Sequence, residues 1–129
     1  MSKQPTSLDD VLAGFDQAWS PRIVAFVNDY DVRVAKFAGE HVWHVHENTD
    51  EFFLVLDGEI RIGLRDGEER EVVLRKGDNF VVPRGVYHKP SSVDGASVLL
   101  FEPTGTLSVG DQHDPVPDHV DETTGHVVS

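Results

Sequence analysis

The residues of this chain with chemistry to offer are His44, His46, Glu51 and, far downstream, His88. Two histidines at i and i+2 would point apart on a helix. On a strand they share a face, because successive side chains alternate sides. Glu47-Asn48-Thr49-Asp50 is polar and turn-prone, and Glu51 opens a new apolar run, Phe52-Phe53-Leu54-Val55-Leu56. A hairpin at that turn brings Glu51 back beside the histidine pair. Two imidazoles and a carboxylate on one wall form the core of a divalent-metal site.

Such a wall needs a sheet to carry it, and from Pro21 onward the pattern is that of short strands. Ile23 to Val27 and Val32 to Phe37 are separated by the turn Asn28-Asp29-Tyr30-Asp31. Asp57-Gly58 and Asp66-Gly67 are hairpin signals between apolar or alternating runs, and Lys76-Gly77-Asp78 and Pro83-Arg84-Gly85 are further turns. Short strands with closely spaced turns predict an all-β sandwich or barrel. Ahead of them, residues 7–19 read as a helix, with Ser7 as N-cap and an apolar stripe of Leu8, Val11, Leu12, Phe15 and Trp19. Gly14 weakens that helix by about 1 kcal/mol relative to alanine. The expected organisation is a helical segment over 1–20, a barrel over 21–103 and an extended acidic tail over 104–129 with little regular structure.

The chain has 129 residues, 11 basic against 23 acidic, a formal charge of −12. Such a balance disfavours nucleic acid and anionic membranes as partners. No cysteine is present, so disulfides and thiolate metal sites are excluded. No apolar run approaches membrane-spanning length, and residues 1–7 lack the basic and apolar regions of a secretory signal, so a cytoplasmic protein is expected. Asp111, Asp114, Asp118, Asp121 and Glu122 place much of the acidity late, as a solvated tail.

Gly39, His44-Val45-His46, Glu51 and Gly58 together resemble the first motif of the cupins, and Gly77, Pro83-Arg84-Gly85 and His88 resemble the second. The first departs by one residue, with four rather than five between Gly39 and His44. The second has Ser92 where asparagine often stands. Neither departure removes a ligand, and the resemblance covers about residues 31–101. It implies a double-stranded β-helix, a small jelly-roll barrel, with one divalent metal held by His44, His46, Glu51 and His88 in an open pocket. It also implies a homodimer. The chain is similar to the small single-domain cupins often labelled after mannose-6-phosphate isomerase.

Three imidazoles and one carboxylate suit a first-row ion, Fe, Mn, Ni, Cu or Zn, rather than Ca or Mg, which prefer oxygen shells. On an octahedral ion they leave two positions for water, dioxygen or substrate. Alternation places Phe53 and Val55 on the face of Glu51, and Val42 on that of His44 and His46; these are the expected pocket walls. Lys36, a cation on the face of Val32 and Val34, is a candidate substrate contact or a lysine snorkelling at the rim. His41, at odd spacing from His44, is expected to face away, and His113, His119 and His126 to be solvated. Two functions fit. One is a metal-dependent enzyme of oxygenase, isomerase or lyase type acting on a small polar molecule. The other is a non-catalytic module that binds a small ligand or metal.

Overall fold

The computed structural model describes residues 4–128. Among them one short helix precedes nine strands: α1 (Leu8–Ala13), β1 (Arg22–Val27), β2 (Tyr30–Glu40), β3 (His44–Val45), β4 (Glu51–Arg65), β5 (Glu69–Arg75), β6 (Asn79–Val82), β7 (Tyr87–Pro103), β8 (Gln112–His113) and β9 (His126–Val127). The strands pair in the order β5-β4-β7-β2-β1-β9, with β6 on β4 and β3 between β7 and β8. The long strands β4 and β7 carry most of the barrel. Their pairing is broken by register shifts, between Val55 and Asp57 and between Gly58 and Arg61 on β4, where the strands bend. Gly58 sits at that bend with φ +84°, and a Cβ there would run into the Gly95 carbonyl and Ala96. Only glycine meets both demands. The result is the double-stranded β-helix barrel with its short N-terminal helix.

Strand alternation fills the barrel. Glu51, Phe53 and Val55 on β4 and Val98 and Leu100 on β7 point inward, and Ile60, Ile62 and Leu64 fill the far half. Full burial of such a side chain contributes roughly 1.5–3 kcal/mol. The helix is shorter than its apolar stripe predicts. Ser7 does cap it, accepting from the Asp10 N–H, but it stops at Gly14. Trp19 then adopts φ 56° and is buried, stacked on Phe37 at 4.3 Å with its indole N–H on the Ala38 carbonyl at 2.7 Å. Packing against the barrel outweighs continued helix propensity.

The acidic C-terminal segment is also more ordered than its composition predicts. Val109 and Val120 are buried in the core, and β8 and β9 extend the sheet. Leu107 and Val116 pack against the same core, so a few apolar side chains among many acidic ones anchor the segment while its aspartates stay at the surface. The segment passes directly beside the histidine pair. Gly110, at φ +71°, lies so close that a Cβ would overlap the Val45 carbonyl, and the Asp111 N–H donates to that carbonyl at 2.8 Å.

Candidate metal centre

His44, His46, Glu51 and His88 are all buried, and one ligand atom from each lies within 4.8 Å of the others. Three local features bring them there. The β3–β4 turn returns the chain so that Glu51 faces His46, Oε2 to Nε2 3.5 Å. Pairing of β3 with β7 sets His44 opposite His88. The Gly85 N–H donates to the His46 carbonyl at 2.9 Å, so the turn Pro83-Arg84-Gly85 is tied directly to the histidine pair.

The imidazoles are oriented by the backbone. His44 Nδ1 lies 2.8 Å from the Val42 carbonyl, and His88 Nδ1 lies 3.0 Å from the Val86 carbonyl. A carbonyl only accepts, so each Nδ1 carries a proton and each Nε2 is left to face the cluster. Backbone carbonyls commonly fix metal-ligating histidines in this way. His46 Nε2 is buried with no hydrogen-bond partner. His88 Nε2 lies 3.0 Å from Glu51 Oε1, a contact that needs a proton between the two atoms, which a divalent cation would replace. Opposite ligands on a first-row ion stand about 4.2 Å apart, from bond lengths of about 2.1 Å. The widest separation here closes with a shift of roughly half an ångström. The donor set therefore fits such an ion.

Electrostatics agree. Burial pushes His44 well below its ordinary value, helped by the neighbouring His88 and His41. Burial likewise lowers His46, but the attraction of the Glu51 charge 3.5 Å away outweighs it, so His46 is raised. Burial alone would raise Glu51, yet the attraction of His46 and the hydrogen bond and attraction of His88 hold it well below the usual carboxylate range. The carboxylate is thus charged and ready to ligate.

A cavity adjoins the cluster, lined by Trp19, Ala35, Phe37, His41, Phe53 and Leu100, with His44, Glu51 and Glu102 as its polar face. Its volume is about 30 Å³, room for a water molecule or two. Of the residues expected as walls, Phe53 lines it. Val55 is buried deeper in the core, and Val42 is buried and supplies the carbonyl that orients His44. Lys36 lies outside it, with its ammonium donating to the Phe15 carbonyl and set over the Phe15 ring. Its face of β2 is turned away, and Asp31, Arg33, Ala35 and Phe37 are buried on the other.

His41 is the chief surprise. Strand alternation would turn it away from His44, yet it is buried and lines the cavity, its ring 4.7 Å from that of His44. Residues 41–43 are not in a strand, so the alternation restarts. Burial lowers His41 to about 4 and leaves it neutral at physiological pH. A second group missed from sequence is the buried set Asp31, Arg33 and Glu102. Arg33 pairs with Asp31 at 2.8 Å and Glu102 at 3.2 Å, all three essentially solvent-free. Burial and the nearby Glu51 charge raise Glu102 well above the usual carboxylate range, with Arg33 opposing. The signal was the opposite charges at i and i+2 in Asp31-Val32-Arg33, which continue into the inward Ala35 and Phe37.

The family profile described as a cupin domain matches residues 30–102, more than half of the chain. The chain belongs to the cupin family. This cupin is 42% identical over 69 residues to the uncharacterized protein YdbB of Bacillus subtilis, a match covering 54% of this chain and 59% of that protein, so the chain aligns with less than two thirds of its curated relative. Among solved structures it is similar to a cupin-2 domain protein of Shewanella frigidimarina, at 39% identity and TM-score 0.72, covering 76% of this chain and 93% of that one. It is also similar to hydroquinone 1,2-dioxygenase of Sphingomonas sp. TTNP3 in complex with 4-nitrophenol, at 25% identity and TM-score 0.67, covering 78% of this cupin but 32% of the dioxygenase. No helix among its described residues is long and apolar enough to cross a membrane.

Proposed function

We propose that this cupin is a metal-dependent enzyme, of oxygenase type before isomerase or lyase type, acting on a small molecule at an ion held by His44, His46, Glu51 and His88. The observation that carries the reading is the buried donor set. Two imidazoles have Nδ1 engaged by backbone carbonyls, and a third has an Nε2 with no partner. When bound, a first-row ion supplies Lewis acidity or a site for dioxygen. The residues of the chain supply the rest. Glu51 contributes the negative charge, and Trp19, Phe37, Phe53 and Leu100 keep bulk water from the adjoining cavity, where electrostatic attraction strengthens as the local dielectric falls.

The oxygenase type is preferred because hydroquinone 1,2-dioxygenase lies among the similar structures. The sugar-isomerase label carried by some small cupins is disfavoured. No lysine or arginine lines the cavity to hold a phosphate, and about 30 Å³ is little room for a hexose. That narrowness favours the second reading, a non-catalytic metal- or ligand-binding module. We further propose a homodimer, supported by the exposed apolar Phe26, Val27, Tyr30 and Val81; light scattering should give about twice the chain mass of 14.3 kDa.

Substitution with Co(II) tests the reading, since its visible spectrum responds to coordination. Titration with phenols, catechols, α-keto acids and hydroxy acids should perturb the spectrum for at least one class. Dioxygen consumption is then assayed with that class. A spectrum unmoved by all of these, and by azide and cyanide, means a closed shell and leaves the non-catalytic module.

A further inference from the structure

The four donor side chains are sealed from solvent, none more than 6% exposed, and the cavity beside them has room for a water molecule or two. Part of the seal is the C-terminal segment. Ser108 lines the cavity, Val109 and Val120 enter the core, and a Cβ on Gly110 would stand 3.3 Å from the His44 ring. The segment is closed on itself. The Ser108 N–H donates to the Thr123 carbonyl at 2.8 Å, and Ser108 Oγ donates to the Asp121 carbonyl at 2.6 Å and accepts from the Thr123 N–H at 3.0 Å. Surface loops whose ends are pinned together in this way are compact units and frequently functional. Within the loop, residues 111–115 are exposed. Their ties to the barrel are polar: the Asp111 N–H to the Val45 carbonyl, the Glu47 N–H to Asp111 Oδ2 at 2.7 Å, the Asp114 N–H to the Trp43 carbonyl at 3.0 Å and Tyr87 Oη to Gln112 at 3.1 Å. On the other arm, His119 reaches the Glu40 carbonyl and Ser20 Oγ donates to Asp121 Oδ2, both at 2.7 Å. Hydrogen bonds near the surface exchange for water at small net cost, so such a segment opens before the barrel does.

We propose that residues 107–123 form a plug that swings out as one unit, and that this opening admits the metal ion and any ligand larger than water to His44, His46, Glu51 and His88. The inference rests on the preceding assignment of the metal site and adds the control of access to it. A ligand of even a few heavy atoms exceeds the cavity, so it reaches the ion only when a wall moves. The other walls resist. Phe37, Phe53 and Leu100 stand on β2, β4 and β7, strands that are each paired on both sides, so moving them breaks the sheet. The plug meets the sheet through β8, two residues long and paired only with β3. The chain is fixed on either side of the plug. Arg33 holds the Thr106 carbonyl at 3.1 Å, and the His126 N–H donates to the Pro21 carbonyl at 3.0 Å. Swinging out withdraws Val109 and Val120 from the core, so the closed state is the resting one.

Two measurements on the full-length protein test this. Hydrogen exchange should show the amides of Gly110, Asp111, Asp114 and Asp121 opening together and ahead of barrel amides such as Val55. The second measurement times the transfer of Zn(II) from the loaded protein to 4-(2-pyridylazo)resorcinol, a chelator larger than the cavity. Val120→Ala keeps all four ligands and removes apolar contact made only in the closed state. It should speed plug exchange and Zn(II) transfer by the same factor, about tenfold, with Zn(II) content and Val55 exchange unchanged. Plug amides that exchange only with the barrel overturn the proposal, as does a transfer rate that stays put while plug exchange rises. Should Val120→Ala fail to fold, Gln112→Ala takes its place, since it loses only the exposed Tyr87 contact. Both rates should then rise about threefold, and no rise in either overturns the proposal. A protein that takes up no ion contradicts the metal assignment instead, and the plug is then decided by whether its amides open ahead of the barrel's.

Discussion

Replacement of Arg33 by methionine should be among the most damaging single changes in this protein, although Arg33 is not a metal ligand. The guanidinium is fully buried and serves two carboxylates and one carbonyl. Methionine fills similar volume but leaves Asp31 and Glu102 buried without their cation. Removing one partner of a buried ion pair costs about 3–5 kcal/mol, because the remaining charge is uncompensated. Unfolding entropy of roughly 2.1 cal/mol/K per residue gives about 0.27 kcal/mol/K for a chain of this length. The expected fall in Tm is therefore about 11–18 °C. Chemical denaturation at 25 °C provides the free energy, and differential scanning calorimetry the Tm. The companion variant Asp31→Asn, Arg33→Met, Glu102→Gln removes the stranded charges and should recover more than half of the loss, since neutral replacements of a buried ionic set are often tolerated. The reasoning is refuted by an Arg33→Met variant within about 1 kcal/mol of the parent, or by a triple variant no more stable than the single one.

Protein purified without chelator should carry close to one first-row ion per chain by elemental analysis, and His46→Ala should lose most of it; full occupancy in that variant would contradict the ligand assignment. Metal affinity should weaken as pH falls, because each ligand must shed its proton to bind. His46, raised above 6.5 in the metal-free protein, is the first imidazole at which protons compete, so Zn(II) titrations should show the decline already near neutrality; an affinity flat down to pH 5 would argue against His46 as a ligand. In the metal-free protein the His46–Glu51 pair acts in a bounded window. The raised His46 contributes stability below 6.5 that is lost as pH rises through its folded value. The depressed Glu51 contributes above 4.5 and loses that as pH falls. Denaturant midpoints across pH should therefore peak between these limits once metal is removed, and an unchanged profile in Glu51→Gln would exclude the pair as the cause. Gly110→Ala should destabilise by about 1–3 kcal/mol, from the left-handed backbone and the overlap with Val45, and should raise proteolysis of the C-terminal segment; resistance equal to the parent would show that the segment does not need that close approach.

The sequence alone determined that the chain is all-β, a sandwich or a barrel with the barrel implied by the cupin resemblance, and that His44, His46 and Glu51 share a wall. The all-β class and the shared wall follow from local rules: the period-2 alternation of a strand and the turn chemistry of Glu47 to Asp50 and Asp57-Gly58. His88 was legible only through its resemblance to a motif, since nothing local links it to residues forty positions earlier. What the tertiary structure alone decided lies where alternation is interrupted or where a distant segment arrives. The three residues between β2 and β3 leave the sheet, so His41 enters the cavity that strand parity denied it. On β2 both faces are covered, since Val34 is as fully buried as Asp31 and Arg33 on the opposite face. What the sequence could not show is the partner of Arg33: Glu102 pairs opposite Asp31 on β7 and brings its carboxyl to the buried guanidinium. Trp19 leaves its predicted helix and Val109 and Val120 leave the predicted surface tail for one reason. The barrel offers each a buried apolar partner, and removing a large side chain from water outweighs the local preferences that composition and propensity record.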